Sequence, residues 1–181
     1  MIYYTLDAED TIVDVGGDWD QFALENGGAH CTRVKVVGNL LYRYIAGPDV
    51  VDVYRVLFAR SRRTRSQIEL DFRCDAPAFR RKMRMRISPE DRGLLTVTTA
   101  LLDEEPRAEV SLLDSHAPRG SEFISICCIC GDVCSENGEW VPVEVECQRR
   151  RLMEHATVPR LSHGFCPECL SSQLAELDAR R

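Results

Sequence analysis

The stretch "QIELDFRCDAPAFRRKMRMRI", residues 67–87, predicts a β-hairpin and decides the fold of the first half of the chain. Apolar and charged side chains alternate in both arms, which is the pattern of a strand with one face on the core and the other in water. The tetrapeptide "DAPA" between the arms has the composition of a turn. The apolar positions of this pattern are Ile68, Leu70, Phe72, Met83, Met85 and Ile87.

The length of the turn sets the register of the hairpin. If "DAPA" forms a four-residue turn, Leu70 lies opposite Met83 on the inner face and Glu69 lies opposite Arg84 on the outer face. Such cross-strand pairs contribute roughly 0.2–1 kcal/mol each, so we interpret the basic run of the second arm as a solvated face. Arg81 departs from the pattern because it shares the inner face with Met83. It either reaches water past the strand end or meets a ligand or a carboxylate inside.

The elements before and after the hairpin complete an α+β fold. Two short strands are predicted over 2–5 and 11–15, and a short helix follows Asp18. A longer helix begins at Pro48, where apolar residues recur at helical spacing. The stretch "GLLTVTTALL" after the hairpin predicts a further strand. This order predicts a five-stranded antiparallel sheet with its helices on one face.

Six of the nine cysteines lie in two short stretches, "ICCICGDVC" and "LSHGFCPECL". Each stretch contains a CxxC motif, formed by Cys127 and Cys130 in the first and by Cys166 and Cys169 in the second. A glycine follows the first motif, and the second precedes "LSSQLAEL", a predicted helix whose N-terminus stabilises thiolates. The segment "EWVPVEVE" between them predicts a strand. We therefore expect a tetrahedral zinc site with four thiolate ligands in a zinc-ribbon or treble-clef-like element.

Other ligands and other uses of the thiols are open alternatives at this point. His163 precedes the second motif by three residues and is an alternative ligand, and Cys134 becomes one if the first pair slides to Cys130 and Cys134. Cys128 is one residue out of step with Cys127 and is predicted to point away from the metal. A redox-active thiol cluster is the alternative to a structural metal site.

Composition limits the classes of function. The chain has 181 residues and a net charge of −6, and its part after residue 120 is itself acidic, which argues against nucleic acid as a partner. No apolar run reaches the ~20 residues that span a bilayer. The N-terminal "MIYYTLDAEDTIVDV" lacks the features of a signal peptide, so we expect a cytoplasmic protein with reduced thiols. Because the sequence has no phosphate-binding loop, nucleophile elbow or HExxH motif, we expect no catalytic residues and no enzyme.

Several stretches are similar to a bacterial group of PAS-like proteins: "WDQFALENGG", the "VVG" turn, "FRCDAP" followed by "RRKMRMRI", and "LLDEEPR". The order of elements over residues 1–105 also resembles that of a PAS domain. The back half resembles a cysteine element that follows PAS domains in some bacterial signalling proteins, where a CxxC and a Trp precede an SHG-x-CPxC signature. Here these are Cys127-x-x-Cys130, Trp140 and "SHGFCPEC".

The segment 106–122 has no strand or helix pattern, is rich in Pro, Ser, Arg and Asp, and is predicted to be a linker. The resemblance implies a PAS-like sensory domain at 1–105 before it and a cysteine-rich zinc-binding element at 123–181 after it. It implies a non-enzymatic sensory or ligand-binding module of bacterial signal transduction that acts through a protein partner or a homodimer. The alternatives are a thiol-based redox sensor and a zinc-dependent nucleic-acid-binding protein, which the acidic charge disfavours. The residues that we expect to line a small-molecule pocket in the PAS-like core are Trp19, Phe22, Tyr54, Phe72, Arg81 and Met83.

The two halves are also expected to differ in their need for metal. The linker and the tail look poor in apolar residues, so metal binding should supply most of the order after residue 122. Residues 1–103 have their own predicted core and should stay folded without metal.

Overall fold

The computed structural model describes residues 1–179, and its helices and strands give an α+β protein. The strands of the front part are β1 (Ile2–Leu6), β2 (Ile12–Gly17), β3 (Ile68–Arg73), β4 (Phe79–Pro89) and β5 (Leu95–Pro106). The helices between β2 and β3 are α1 (Trp19–Glu25), α2 (Arg33–Val36) and α3 (Pro48–Thr64). The later elements are β6 (Arg119–Cys127), β7 (Val133–Cys134), β8 (Trp140–Val141), α4 (Val143–Arg149), β9 (Val158–Gly164) and α5 (Pro167–Ala179). Short 3-10 turns lie at Ala29–Cys31, Leu41–Arg43, Asp91–Gly93, Ser111–Leu113 and Leu152–Glu154.

The first sheet has the strand order β2-β1-β5-β4-β3. The N-terminal strand β1 is antiparallel to both of its neighbours, and Tyr4 lies opposite Val15 of β2 and Val97 of β5. Val15 and Val97 are buried, as is Leu6 at the end of β1. The predicted five-stranded antiparallel sheet is confirmed.

The longest helix, α3, follows from its sequence. Proline at its first position lacks only an N–H that would have no partner in the helix. Leu57, Phe58 and Ser61 recur at helical spacing and are buried. The helix ends just before Arg65, whose φ of 51° is in the left-handed region.

The hairpin register differs from the predicted one. Ala76 pairs with Phe79 across the turn, so the turn has two residues and not four. The pairing is therefore shifted by two residues, and the predicted pairs of Leu70 with Met83 and of Glu69 with Arg84 are wrong. A shift of two residues keeps every side chain on its face, because side chains alternate with a period of two.

The outer face of the hairpin carries ion pairs in the shifted register. Arg84 donates two hydrogen bonds to the carboxylate of Asp71, from Nε at 2.6 Å and Nη2 at 3.0 Å. Arg86 donates from Nε to Glu69 at 2.7 Å. The opposite face holds buried side chains of the core, among them Ile68, Met85 and Ile87.

The chain separates into two compact units. The first unit comprises residues 1–46, 51–71 and 82–103, and the second comprises residues 47–50, 72–81 and 104 onward. The second unit thus includes the tip of the β3–β4 hairpin, which sequence reasoning assigned to the PAS-like domain at 1–105.

The segment predicted as a linker, 106–122, is part of the second unit's core, so that prediction is wrong. β5 continues through Pro106, and β6 begins at Arg119. Between them Val110 and Leu112 are buried. Their neighbours are mostly Pro, Ser, Arg and Asp, and this local composition hid the two apolar residues. The buried cluster of this unit contains Val110, Leu112, Ile124, Ile126, Val133, Val143, Cys147, Leu152 and Val158.

The second sheet has the order β8-β7-β6-β9, with β6 and β9 parallel. The predicted strand in "EWVPVEVE" is confirmed only over the two residues of β8, because α4 begins directly after Pro142. In α4 the buried residues are Val143, Glu146 and Cys147, at helical spacing. The apolar alternation of this segment also suits a strand, which explains the error. Among the described residues, no helix has the length and apolar character needed to cross a membrane.

Candidate metal centre

The parallel pair β6–β9 brings the two CxxC motifs together. Cys127 is the last residue of β6, and it lies opposite Gly164, the last residue of β9. The next amide, Cys128 N–H, donates to the carbonyl of Gly164 at 3.0 Å. Because both strands end at the same edge of the sheet, Cys166 enters the space beside Cys127 only two residues after β9 ends.

The first motif forms a tight turn that closes on itself. Cys127 N–H donates to Asp132 O at 2.7 Å, and Gly131 N–H donates to Cys127 O at 3.0 Å. Gly131 has a φ of 82°, in the left-handed region that favours glycine. The amide of Asp132 lies 3.5 Å from Cys130 Sγ and donates to it. We call residues 127–132 the knuckle.

The second motif lies at the start of α5. Cys166 immediately precedes the helix, and Leu170 N–H donates to its carbonyl at 2.9 Å. The amide of Cys169 donates to Cys166 Sγ at 3.4 Å. A helix N-terminus carries partial positive charge and free N–H groups, so this position stabilises a thiolate.

The four predicted cysteines converge on one point. The Sγ atoms of Cys127, Cys130, Cys166 and Cys169 all lie within 4.8 Å of one another. The sulfurs of Cys130 and Cys166 are 3.9 Å apart. A tetrahedral zinc with Zn–S bonds of about 2.3 Å separates its sulfurs by about 3.8 Å, so this spacing suits the ion. Cys127 and Cys166 are 1% and 5% exposed, which leaves only two of the four residues partly open to water.

The thiols of the group differ in their acidity. Burial raises the pKa of Cys127, but hydrogen bonds from the backbone N–H groups of Cys130, Cys166 and Ile129 lower it by more. The pKa of Cys127 is therefore below its ordinary value. Burial, the Cys166 side chain and the charge of Cys127 raise the pKa of Cys169 to about 12. Burial raises the pKa of Cys130 as well. Burial and the charge of Cys127 therefore disfavour the ionised forms of Cys130 and Cys169, and a cation at the centre would offset this effect.

The alternative ligands lie outside this group. Among residues 1–179, the structure brings neither His163 nor Cys134 into the four-sulfur cluster. His163 is exposed on β9, and the Cys134 thiol donates to Ser135 O at 3.7 Å. Cys128 is also outside the cluster, as predicted, and burial raises its pKa to about 12.

Sequence reasoning missed three residues of this region: Arg73, Asp75 and Arg107. The amide of Arg73 donates to Cys128 O at 2.7 Å, and its Nη1 donates to Cys130 O at 3.3 Å. Asp75 and Arg107 complete a buried ion-pair network with it. No local pattern signals these contacts, because Arg73 and Cys130 are separated by 57 positions in the chain.

The predicted pocket residues fall in both units. In the first unit Trp19 donates from its indole to Cys31 O at 2.7 Å, and the Tyr54 ring packs on Phe58 at 5.4 Å. Phe22 is exposed, while Met83 is half-buried. In the second unit Phe72 is half-buried, and Arg81 donates to the carboxylate of Glu104 at 2.6 Å. Because Glu104 is exposed, the carboxylate partner of Arg81 lies at the surface and not inside the fold, and the small-molecule pocket stays a prediction.

Comparison with family models, curated proteins and solved structures gives no match for this chain. Its class is therefore defined by what its own residues form. It is an α+β protein with a five-stranded antiparallel sheet and a group of four cysteines that can hold a metal ion.

Proposed function

We propose that the four cysteines bind one zinc ion and that this ion has a structural role. Zinc accepts four thiolates in a tetrahedral shell, and the spacing of the sulfurs suits that shell. Hydrogen bonds from Asp132 and Cys169 amides to two of the sulfurs support thiolate ligands over neutral thiols.

Four protein ligands close the coordination shell. A catalytic zinc keeps a position open for water or substrate, and a site with four thiolates leaves none. The ion would therefore link β6, β9 and α5 without taking part in a reaction. This argument agrees with the sequence, in which no catalytic motif occurs.

For the chain as a whole we propose a non-enzymatic sensory or ligand-binding module that acts through a protein partner or a second copy. The element order that underlies the PAS resemblance, two strands, helices and three strands, supports this proposal. The convergence of the cysteine signature on one point is the observation that carries it, because the same signature follows PAS domains in the proteins that the chain resembles.

Native mass spectrometry of the purified protein tests both proposals in one measurement. We expect one zinc per chain, and a mass excess beyond zinc would reveal a small molecule retained in the PAS-like core. The same spectrum reports the number of subunits. Protein prepared with zinc present that carries no metal, with α5 nevertheless ordered, would contradict the structural zinc site.

A thiol-based redox sensor is the second candidate, and the short separation of Cys130 and Cys166 sulfurs favours it. If peroxide oxidises these two thiolates to a disulfide, two electrons reduce the peroxide to water and the zinc is released. Measuring zinc release at graded peroxide concentrations separates the candidates. A structural site retains its zinc at peroxide levels that leave ordinary thiols reduced, whereas a sensor loses it there and regains it after reduction.

A further inference from the structure

The tip of the β3–β4 hairpin is bonded directly to the knuckle. Arg73 ends β3, and its backbone N–H donates to Cys128 O at 2.7 Å while its Nη1 donates to Cys130 O at 3.3 Å. Both carbonyls belong to residues of the first CxxC motif. One arginine therefore holds the backbone of the knuckle at two points, one inside the motif and one at its second cysteine.

A buried carboxylate fixes the guanidinium of Arg73. Asp75 accepts from Arg73 Nε at 2.8 Å and from Nη2 at 2.6 Å, a two-bond geometry that sets the plane of the guanidinium. The Asp75 side chain is only 3% exposed. It also accepts from the Arg81 amide at 2.9 Å, which ties the two arms of the tip together. The orientation of Arg73 is thus determined by the hairpin tip.

A second buried arginine completes the network. Arg107, 4% exposed, lies 3.2 Å from Asp75 and donates to Ala76 O at 3.0 Å. It also contacts Glu144 of α4 at 3.4 Å, and Arg80 donates to the same carboxylate at 2.6 Å. Buried charges of this kind persist only when they are paired, so removing one member leaves the others without compensation.

The network lies against the knuckle's glycine as well as against its carbonyls. A Cβ atom added to Gly131 would lie 3.5 Å from Asp75 Oδ2 and 3.6 Å from Arg73 Cζ. The Arg73–Asp75 pair is therefore in contact distance of the residue that follows Cys130.

We propose that Arg73 and Asp75 are positioning residues for the metal centre and that metal binding in turn orders the hairpin tip, residues 72–81. This inference rests on the proposed zinc site. By holding the carbonyls of Cys128 and Cys130, Arg73 keeps the knuckle in the shape that presents both of its sulfurs to one ion. Linkage makes the effect reciprocal: if these contacts tighten metal binding, the metal strengthens the contacts by the same factor.

The test compares two ion pairs on one hairpin. Arg73→Lys and Asp75→Asn remove the two-bond pair at the tip, and Arg84→Lys and Asp71→Asn remove the two-bond pair nearer the base. Zinc affinity is measured by competition with a chromophoric chelator. Loss of an outer partner of a metal ligand typically weakens binding about 10–100-fold. We expect that loss for the tip variants and unchanged affinity for the base variants.

A second readout separates positioning from general stability. Zinc raises the melting temperature of the protein by an amount that depends on its affinity. A variant that merely weakens the fold lowers the melting temperature equally with and without zinc. Loss of a positioning residue instead reduces the amount by which zinc raises the melting temperature. In the unaltered protein, zinc removal should speed hydrogen exchange at residues 72–81 and leave residues 83–87 protected.

The outcomes distinguish this inference from the proposal beneath it. If the unaltered protein binds cobalt(II) without the charge-transfer absorption of four thiolates, the metal centre itself is wrong. If it binds zinc through four thiolates but Arg73→Lys binds as tightly, the positioning role is overturned. Should Asp75→Asn fail to fold, the zinc affinity of Arg73→Lys decides whether the positioning role holds. Lysine keeps the backbone N–H and the charge of residue 73 and removes only the guanidinium hydrogen bonds to Asp75 and Cys130.

Discussion

The two units of the chain are stabilised by different means. The interior of the first unit consists mainly of aliphatic and aromatic side chains, such as Leu6, Phe58 and Val97, together with the buried Ser61 and the half-buried Arg62–Asp10 ion pair. The second unit has an apolar cluster around Leu112 and adds to it four converging thiols and a buried ion-pair network. Apolar burial needs no cofactor, whereas clustered thiolates and buried charges need partners. Metal dependence should therefore be confined to the second unit.

The apolar cluster of the second unit reduces the part of the chain that should depend on metal. We expected metal to supply most of the order after residue 122, but Val133, Val143 and Leu152 belong to an apolar cluster of that unit. This cluster should keep β6, β9 and α4 folded without zinc. The metal-dependent parts should be the knuckle, the start of α5 and the hairpin tip.

Removing a ligand should have the largest effect. Cys166→Ser should abolish zinc binding, since a structural zinc site in a small peptide is worth about 10–16 kcal/mol at neutral pH. Hydrogen exchange should then rise at residues 127–132 and at the first turn of α5, while β1 and β5 stay protected. Cys128→Ser is the matched control and should retain zinc, because Cys128 lies outside the four-sulfur group. Equal zinc loss in both variants would show that the ligand set is wrong.

A core substitution in the first unit should affect stability and leave metal binding unchanged. Phe58 is fully buried, and replacing such a residue with alanine costs roughly 3–5 kcal/mol of unfolding free energy. The two tryptophans, Trp19 and Trp140, lie in different units and report on each separately. In a Trp140→Phe background, denaturant unfolding followed by Trp19 fluorescence should shift for Phe58→Ala. A parallel fall in zinc affinity would show that the units are not independent.

The sequence predicted the features that depend on local pattern. The alternation of apolar and charged residues in the hairpin was sufficient to predict its strands and the face of each side chain. The spacing of the two CxxC motifs was sufficient to predict which four cysteines converge. The turn length was not predictable from "DAPA", since its two turn residues, Pro77-Ala78, lack the Asn-Gly or Gly composition that two-residue hairpin turns usually have. Arg73 and Asp75 carry no signal of their role, because the contacts that link Arg73 to Cys130 and Asp75 to Arg107 join residues far apart in the chain.

Two other errors have the same origin. Val110, Leu112 and Leu113 form a short apolar group between segments of polar residues and turn formers, so only the tertiary structure shows that Val110 and Leu112 are buried. Val143 and Val145 alternate as in a strand, but the chain forms a helix there, in which Val143 and Cys147 pack into the buried cluster at helical spacing. In each case long-range packing outweighed local preference.

Zinc affinity should rise steeply with pH. Without metal, the pKa values of Cys130 and Cys169 are raised, chiefly by burial, so both thiols are protonated at neutral pH. Zinc must displace both protons, and the apparent affinity should increase about a hundredfold or more per pH unit across the neutral range. Because protons compete with the metal, zinc is lost as pH falls. Calorimetry in two buffers of different ionisation enthalpy counts the protons released; a count of zero would contradict thiolate coordination by these residues.

The smallest effect should come from a pair of glycines that share a backbone conformation and differ in location. Gly131 has a φ of 82° and Gly138 a φ of 80°. An alanine in this left-handed region costs roughly 1–2 kcal/mol at either site. A Cβ at Gly138 meets nothing within 4 Å, whereas one at Gly131 meets the Arg73–Asp75 pair beside the knuckle.

Both alanine variants should therefore lose a similar amount of stability in the zinc-free protein, measured by the melting temperature. Only Gly131→Ala should also weaken zinc binding, by up to about tenfold, because the strain falls on the turn that presents Cys127 and Cys130. Gly138→Ala should bind zinc like the unaltered protein. If Gly138→Ala weakens binding as much as Gly131→Ala does, the metal centre responds to the stability of the whole second unit. The distinction drawn between its apolar cluster and its metal-dependent knuckle would then be wrong.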